Sequence, residues 1–138
     1  MRALVQRVSR AEVRVDGEVT GSIGPGLCVL LGVGPEDDEA AAEKMAAKLL
    51  ALRIFEDSEG RMNEPLGERE VLCVSQFTLY GDTKKGTRPS FTGAAPPELA
   101  EPLWEKLCDL LGAQRGVFGA AMEVELVNDG PVTLMVEV

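Results

Sequence analysis

Period two opens and closes this chain, and only two internal segments carry a helical period. Near the C-terminal end Met122, Val124 and Leu126 alternate with Glu123 and Glu125. Beyond an Asn-Asp-Gly-Pro interruption, Val132, Leu134, Val136 and Val138 alternate with Thr133, Met135 and Glu137. Alternation of this kind gives a strand one apolar and one more polar face. The first 33 residues read as a β-meander: RALVQRV, AEVRV, an Asp16-Gly17 hairpin signal, EVTGSI, a Gly24-Pro25-Gly26 turn and the apolar LCVLLGV. Helical spacing is confined to 34–55, where Ala42, Met45, Ala46, Leu49, Leu50 and Leu52 recur behind acidic residues, and to 96–113, where Leu99, Leu103, Leu107 and Leu110 form a stripe. Pro102 predicts a slight irregularity early in the second helix. Between the helices EVLCVSQFTLY, residues 70–80, reads as a central strand. Roughly seven strands and two helices that do not alternate βαβα argue against a doubly wound sheet and favour α+β. With 138 residues and neither repeat nor linker, one domain spanning 1–138 is expected.

Composition narrows the chemistry more than the fold. The chain has no histidine, which removes Ser-His-Asp and Cys-His nucleophiles, histidine-ligated zinc and histidine acid–base catalysis together. Cys28, Cys73 and Cys108 are far apart and form no CxxC pair, so zinc and thiol-redox motifs are unsupported and buried small side chains are expected. No metal-ligand cluster stands out, and neither metal nor cofactor is expected. GPGLCVLLG leads into a strand and so fails as a nucleotide-binding glycine loop, which must open a helix. No apolar run approaches the ~20 residues of a membrane span, and the charged N-terminal stretch lacks a signal-peptide core, so a cytoplasmic chain without membrane contact is expected. A net charge of −9 opposes indiscriminate nucleic-acid binding, and DNA is not an expected partner. Two local basic patches stand against that field: Lys84, Lys85 and Arg88 in TKKGTRPSF, and Arg2, Arg7, Arg10 and Arg14 near the start.

Two short stretches carry candidate chemistry. VSQFTLYGDT runs from the central strand into the basic loop 81–95 and clusters the uncharged hydrogen-bonding residues Ser75, Gln76 and Thr78, a pattern that a half-exposed strand also produces. VNDGPVT, residues 127–133, places a proline where the next strand needs a backbone donor. It is either an ordinary turn with an awkward proline or a Gly-Pro with a task of its own.

SQFTL at 75–79 together with NDGPVT at 128–133 resembles the paired SQxxL and NxGPxT motifs of the D-aminoacyl-tRNA deacylases, and both are present without substitution. DTKKGTRPSF and the opening MRALVQRVSRAEVRVDGEV with IGPGLCVLLGV are similar to that family as well, so the resemblance spans essentially the whole chain. It implies a deacylase-like fold: a mainly antiparallel, barrel-like sheet with two amphipathic helices. It also implies hydrolysis of the ester of D-aminoacyl-tRNA, and of glycyl-tRNA mischarged on non-cognate tRNA, with the aminoacylated tRNA 3′ end as partner. The substrate's 2′-hydroxyl would assist attack by water. Ser75, Gln76, Phe77 and Thr78 are the implied catalytic group, with backbone N–H groups of Phe77 and Thr78 as oxyanion donors and Gln76 orienting the ribose. Thr78 as a nucleophile is the alternative, although no base is evident for it. Sequence alone assigns a trans Gly130-Pro131 bond; the resemblance implies a cis bond that projects into the partner's active site across a homodimer and rejects L side chains by clash. Asn128 and Thr133 complete that motif, and Lys84, Lys85, Arg88 and Arg7 are candidates for acceptor-stem phosphates. The competing readings are a non-catalytic RNA- or protein-binding module, an L-specific editing domain like that of some archaeal threonyl-tRNA synthetases, and an esterase with a cysteine or serine nucleophile.

Overall fold

The structure, a computed structural model, describes residues 1–138. Strand β1 runs unbroken over Arg2–Val15, so the two N-terminal strands expected from sequence are one. Asp16 and Gly17 both take positive φ, 51° and 80°, as a tight hairpin turn requires, and return the chain as β2 (Glu18–Ile23). Strand β3 (Gly26–Gly32) lies along the other half of β1, also antiparallel. Helix α1 (Glu39–Ala51) begins where the Asp38 side chain accepts the Ala41 N–H at 2.9 Å. A small ribbon of β4 (Phe55–Glu56) and β5 (Met62–Glu64) follows, and β6 (Glu70–Ser75) then joins β3 in parallel. Helix α2 (Pro97–Leu111) starts with proline at its first position and ends at Gly112 in the left-handed conformation, whose N–H returns to the Asp109 and Cys108 carbonyls. Strand β7 (Gln114–Arg115) pairs with β6 in parallel, and β8 (Glu123–Glu137) runs antiparallel along the whole of β1.

The result is two helices on a mostly antiparallel, nearly closed barrel-like sheet of order β2-β1-β3-β6-β7, with β8 attached to β1. The ends of that order approach one another at Gly21: a Cβ there would lie 2.9 Å from the Arg115 carbonyl oxygen, so glycine permits the closure. Leu27, Leu31, Met45, Leu49 and Leu107 belong to the larger core between sheet and helices, whereas Val8, Val13, Cys28 and Leu72 pack in a smaller cluster within the sheet's curve.

Three further sequence expectations change. The central strand ends at Ser75, and residues Phe77–Tyr80 form a 3-10 turn. The buried stripe of α2 is Ala100, Leu103, Trp104, Leu107, Cys108 and Leu111, while Leu110 is exposed, because a 3.6-residue period carries the contact from 107 to 111. Leu50 is exposed for the same reason on α1. Finally, 122–126 and 132–138 do not pair with each other. Both lie on β1, and the apolar face expected to be buried there is largely open: Val132 is buried, but Val124, Leu134 and Val138 are exposed, as are Val127 and Met135. Strand β8 has β1 as its sole neighbour in the sheet, and although Val132, Val136 and Leu126 pack toward the cores, much of its apolar surface stays open.

Candidate active site

The two sequence motifs occupy different places. Ser75 ends β6 opposite Leu31, and the Gln76 N–H makes the last ladder bond, 2.7 Å to the Leu31 carbonyl. The chain then tightens: Leu79 N–H bonds back to Gln76 O at 3.2 Å and Gly81 N–H to Thr78 O at 2.9 Å. Opening a 3-10 turn leaves its first N–H groups, those of Phe77 and Thr78, without partners inside the turn. Gln76 Nε2 donates to Thr78 Oγ1 at 2.5 Å, which holds the two side chains together. Phe77 and Thr78 are exposed and Ser75 and Gln76 half-buried, so the four form an accessible edge.

Ser75, Gln76 and Phe77 of that edge line a cavity of about 480 Å³, while Thr78 lies outside its wall. Its walls come from the end of β6, from Phe91 and Ala94 near the end of the loop 81–95, from Trp104 on α2 and from Phe118 to Val124. The lining contains no acid, lysine, arginine or cysteine; Ser75 and Gln76 are its hydrogen-bonding side chains apart from the Trp104 indole. Thr78 therefore has no base among these groups. None of the three cysteines reaches the cavity to attack a substrate there. All three are buried. Burial pushes the Cys28 thiol up to about 11. Hydrogen bonding to Cys108 and burial hold the Cys73 thiol well above its ordinary value, against a smaller opposing effect of the Trp104 N–H. Sequence reasoning missed most of the cavity wall, although a signal was present. Aromatic residues are only 4% of the chain, yet three of its four phenylalanines and its one tryptophan are gathered here.

The second motif is a bulge in β8. Val8 pairs with Asn128 and Gln6 with Thr133, so Asp129, Gly130, Pro131 and Val132 stand against Arg7 alone. Asn128 Nδ2 clips the base of the bulge, donating to Arg7 O at 2.9 Å and Val132 O at 3.0 Å. Gln6 Nε2 donates to Thr133 Oγ1 at 3.2 Å. The Gly130-Pro131 bond is cis, in place of the trans bond that sequence alone assigns, and both residues are exposed. A Cβ on Gly130 would meet nothing closer than Asn128 Oδ1 at 3.7 Å, so nothing inside the chain demands glycine there.

Arg7 does not join the surface patch. It is 4% exposed, and its guanidinium donates to the Ile54 carbonyl at 2.6 Å and the Asp129 carbonyl at 3.2 Å and pairs with the Asp129 carboxylate at 3.1 Å. Buried donors taken up in this way cannot reach a phosphate; Arg7 braces the bulge from behind. Lys84, Lys85 and Arg88 are exposed on the loop after the 3-10 turn. No residue of 128–133 lines the cavity. Ser75 is level with Leu31 and the bulge with Leu27, four residues or about 13 Å along β3.

Comparison with known proteins decides what this arrangement belongs to. The sequence pattern described as D-Tyr-tRNA(Tyr) deacylase matches residues 4–137. The chain belongs to the D-Tyr-tRNA(Tyr) deacylase family. Proteins named D-aminoacyl-tRNA deacylase from Desulfatibacillum aliphaticivorans and Symbiobacterium thermophilum are 59% and 57% identical to it, over 99% of this chain and 99% and 95% of theirs. One from Aliivibrio salmonicida is 56% identical over the whole of both chains. A solved structure described as a c-Myc DNA Unwinding Element Binding Protein superposes with a TM-score of 0.93 at 43% identity, covering 100% of this chain and 99% of the other. A probable eukaryotic D-amino acid tRNA deacylase shares the deacylase fold at 17% identity and a TM-score of 0.85, covering 99% and 98%.

Proposed function

We propose that this chain hydrolyses the ester of D-aminoacyl-tRNA in the cytoplasm, releasing free amino acid and tRNA, and that it does so as a homodimer with shared sites. The observation that carries this is the 3-10 turn at the end of β6, whose leading N–H groups stand at the edge of a cavity without acid or base. Such a site suits a substrate that is already activated. Water, assisted by the ribose 2′-hydroxyl, adds to the ester carbonyl carbon. The N–H groups of Phe77 and Thr78 receive the oxyanion, and collapse breaks the bond to the 3′ oxygen, which leaves with a proton. Gln76, fixed to Thr78, orients the ribose end, and Ser75 supports the edge. The Thr78 hydroxyl is already an acceptor for Gln76, which favours its backbone role. No cofactor is called upon.

Chirality is read by Gly130-Pro131 of the other subunit. An exposed bulge, braced by Arg7, Asn128 and Thr133 but aimed at nothing in its own chain, is suited to a neighbour's cavity, and the uncovered apolar residues of β8 offer the surface for that neighbour. An L side chain would strike this wall and a D side chain would point away from it. Glycine has nothing to exclude, so glycyl-tRNA is cleaved too. Lys84, Lys85 and Arg88 contact acceptor-stem phosphates, offsetting the acidity of the whole locally.

A non-catalytic nucleic-acid module is the second reading, favoured by the described DNA-element binding of the 43% identical neighbour. Hydrolysis of D-tyrosyl-, L-tyrosyl- and glycyl-tRNA by the purified chain separates the two. Release of D-tyrosine and glycine with the L ester spared is expected. Cleavage of the L ester would remove Gly130-Pro131 as the filter, and no cleavage of any would leave the binding module.

A further inference from the structure

The basic loop and the catalytic turn are joined by one aromatic contact. Phe91 lies in the second half of the loop 81–95, and its ring meets that of Phe77 edge-to-face, with centroids 5.4 Å apart and planes at 78°. Both rings are exposed and both border the cavity. The loop is closed at its base by two backbone bonds between Asp82 and Ser90, of 2.7 and 2.9 Å, and Asp82 Oδ1 accepts the Lys84 N–H at 2.9 Å. Lys84, Lys85 and Arg88 therefore ride on a closed loop whose exit is Phe91. The ring also lies so close to the end of the turn that a Cβ on Gly81 would come within 2.9 Å of it. Phe91 thus touches both ends of the 3-10 turn, Phe77 at its start and Gly81 just after its close. An exposed aromatic pair costs hydration that burial in the core would avoid, and no core packing calls for Phe91.

We infer that Phe91 is a positioning residue: through the Phe77 ring it sets the direction of the Phe77 and Thr78 N–H groups, a role separate from phosphate binding by the loop's lysines. The inference rests on the deacylase reading above. Phe91 takes no proton and forms no bond to substrate; its effect runs through the turn. A displacement of oxyanion donors by about 1 Å is enough to cost on the order of 100-fold in rate, whereas a lost phosphate contact weakens binding.

The test compares Phe91→Ala, Phe91→Tyr and Lys84→Glu/Lys85→Glu on D-tyrosyl-tRNA and on the 3′-O-D-tyrosyl ester of adenosine, which lacks the stem. Phe91→Ala is expected to lower kcat by about 10- to 100-fold on both substrates with little change in KM, and Phe91→Tyr to restore it. The lysine variant should raise KM for the tRNA and leave the small ester untouched. Circular dichroism and thermal unfolding of Phe91→Ala should match the parent; if they do not, Phe91→Leu, which keeps the bulk without the edge-to-face geometry, carries the test with the same expected loss. A kcat within about twofold of the parent in a folded variant, or an effect confined to KM for tRNA, overturns the inference. If the unaltered chain hydrolyses neither substrate, the deacylase reading fails first.

Discussion

The end of β6 and the bulge of β8 carry the two motifs that mark this chain, and they differ in what surrounds them. The first is walled by its own chain: sheet, helix α2 and the segment 118–124 enclose the cavity beside Gln76 and Phe77. The second has firm support behind it and nothing in front. Arg7 and Asn128 hold Asp129 to Val132 in place, yet Gly130 and Pro131 face solvent, and the strand on either side exposes Val127, Leu134 and Met135. A braced, exposed bulge beside an open apolar strand contrasts with a cavity enclosed by its own chain. The difference teaches that, on the proposed dimeric reading, pocket and wall would meet only between two chains.

Covering β8 with charge should have the largest effect. Leu134→Asp with Met135→Asp is expected to give a monomer by sedimentation and to abolish D-tyrosyl-tRNA hydrolysis, a loss of at least ~100-fold, because the pocket would lack its wall. A chain that stays fully active as a monomer would break the comparison outright. Mixing sharpens it further. A pocket variant, Gln76→Ala, and a bulge variant lacking Gly130 and Pro131 should each be defective alone. Randomly mixed dimers should recover about a quarter of the parental sites, since half the dimers are mixed and each pairs one sound pocket with one sound wall. No recovery on mixing would mean that pocket and wall act within one chain.

Smaller effects distinguish the regions individually. Gly130→Ala should leave the unfolding free energy within about 0.5 kcal/mol, as the space around that Cβ is open, while lowering kcat/KM for D-tyrosyl-tRNA by roughly tenfold through a methyl thrust into the neighbour's site. Unfolding and kinetics measured on the same preparation check both halves. Weaker again is the pH response of the sheet that joins the two regions. Burial raises the Cys28 thiol to about 11, so the fold favours the neutral form. That contribution to stability is complete below the thiol's ordinary range near 9 and is lost as pH rises through it toward 11. Thermal unfolding from pH 8 to 11 should show a decline that Cys28→Ala reduces.

Much of the fold was legible because period and punctuation are local. Asp16-Gly17 announces its hairpin, and leading acidic residues with alanines and leucines at helical spacing announce α1. The strand end at Ser75 was not legible, since Gln76 to Tyr80 continue an acceptable strand composition and only the turn's own bonds reveal the 3-10 geometry. Arg7 was misplaced as a surface cation because charge in a sequence carries no depth; its carbonyl partners come from Ile54 and Asp129, 47 and 122 residues away. The cavity was missed for a like reason, being assembled from five separated stretches.

By itself, then, the order of periods determined an α+β chain with strands at both ends, the absence of histidine determined which nucleophilic mechanisms are closed to it, and two short motifs pointed to the deacylase family. Those are properties of neighbouring residues and of counts. Tertiary structure alone decided that both C-terminal segments lie on β1, that four residues must bulge against Arg7, and that Phe77, Phe91, Trp104 and Phe118 share one wall. Pairing register and burial are set by contacts between residues far apart in the chain, and the cost of closing those loops is met only when the whole core forms.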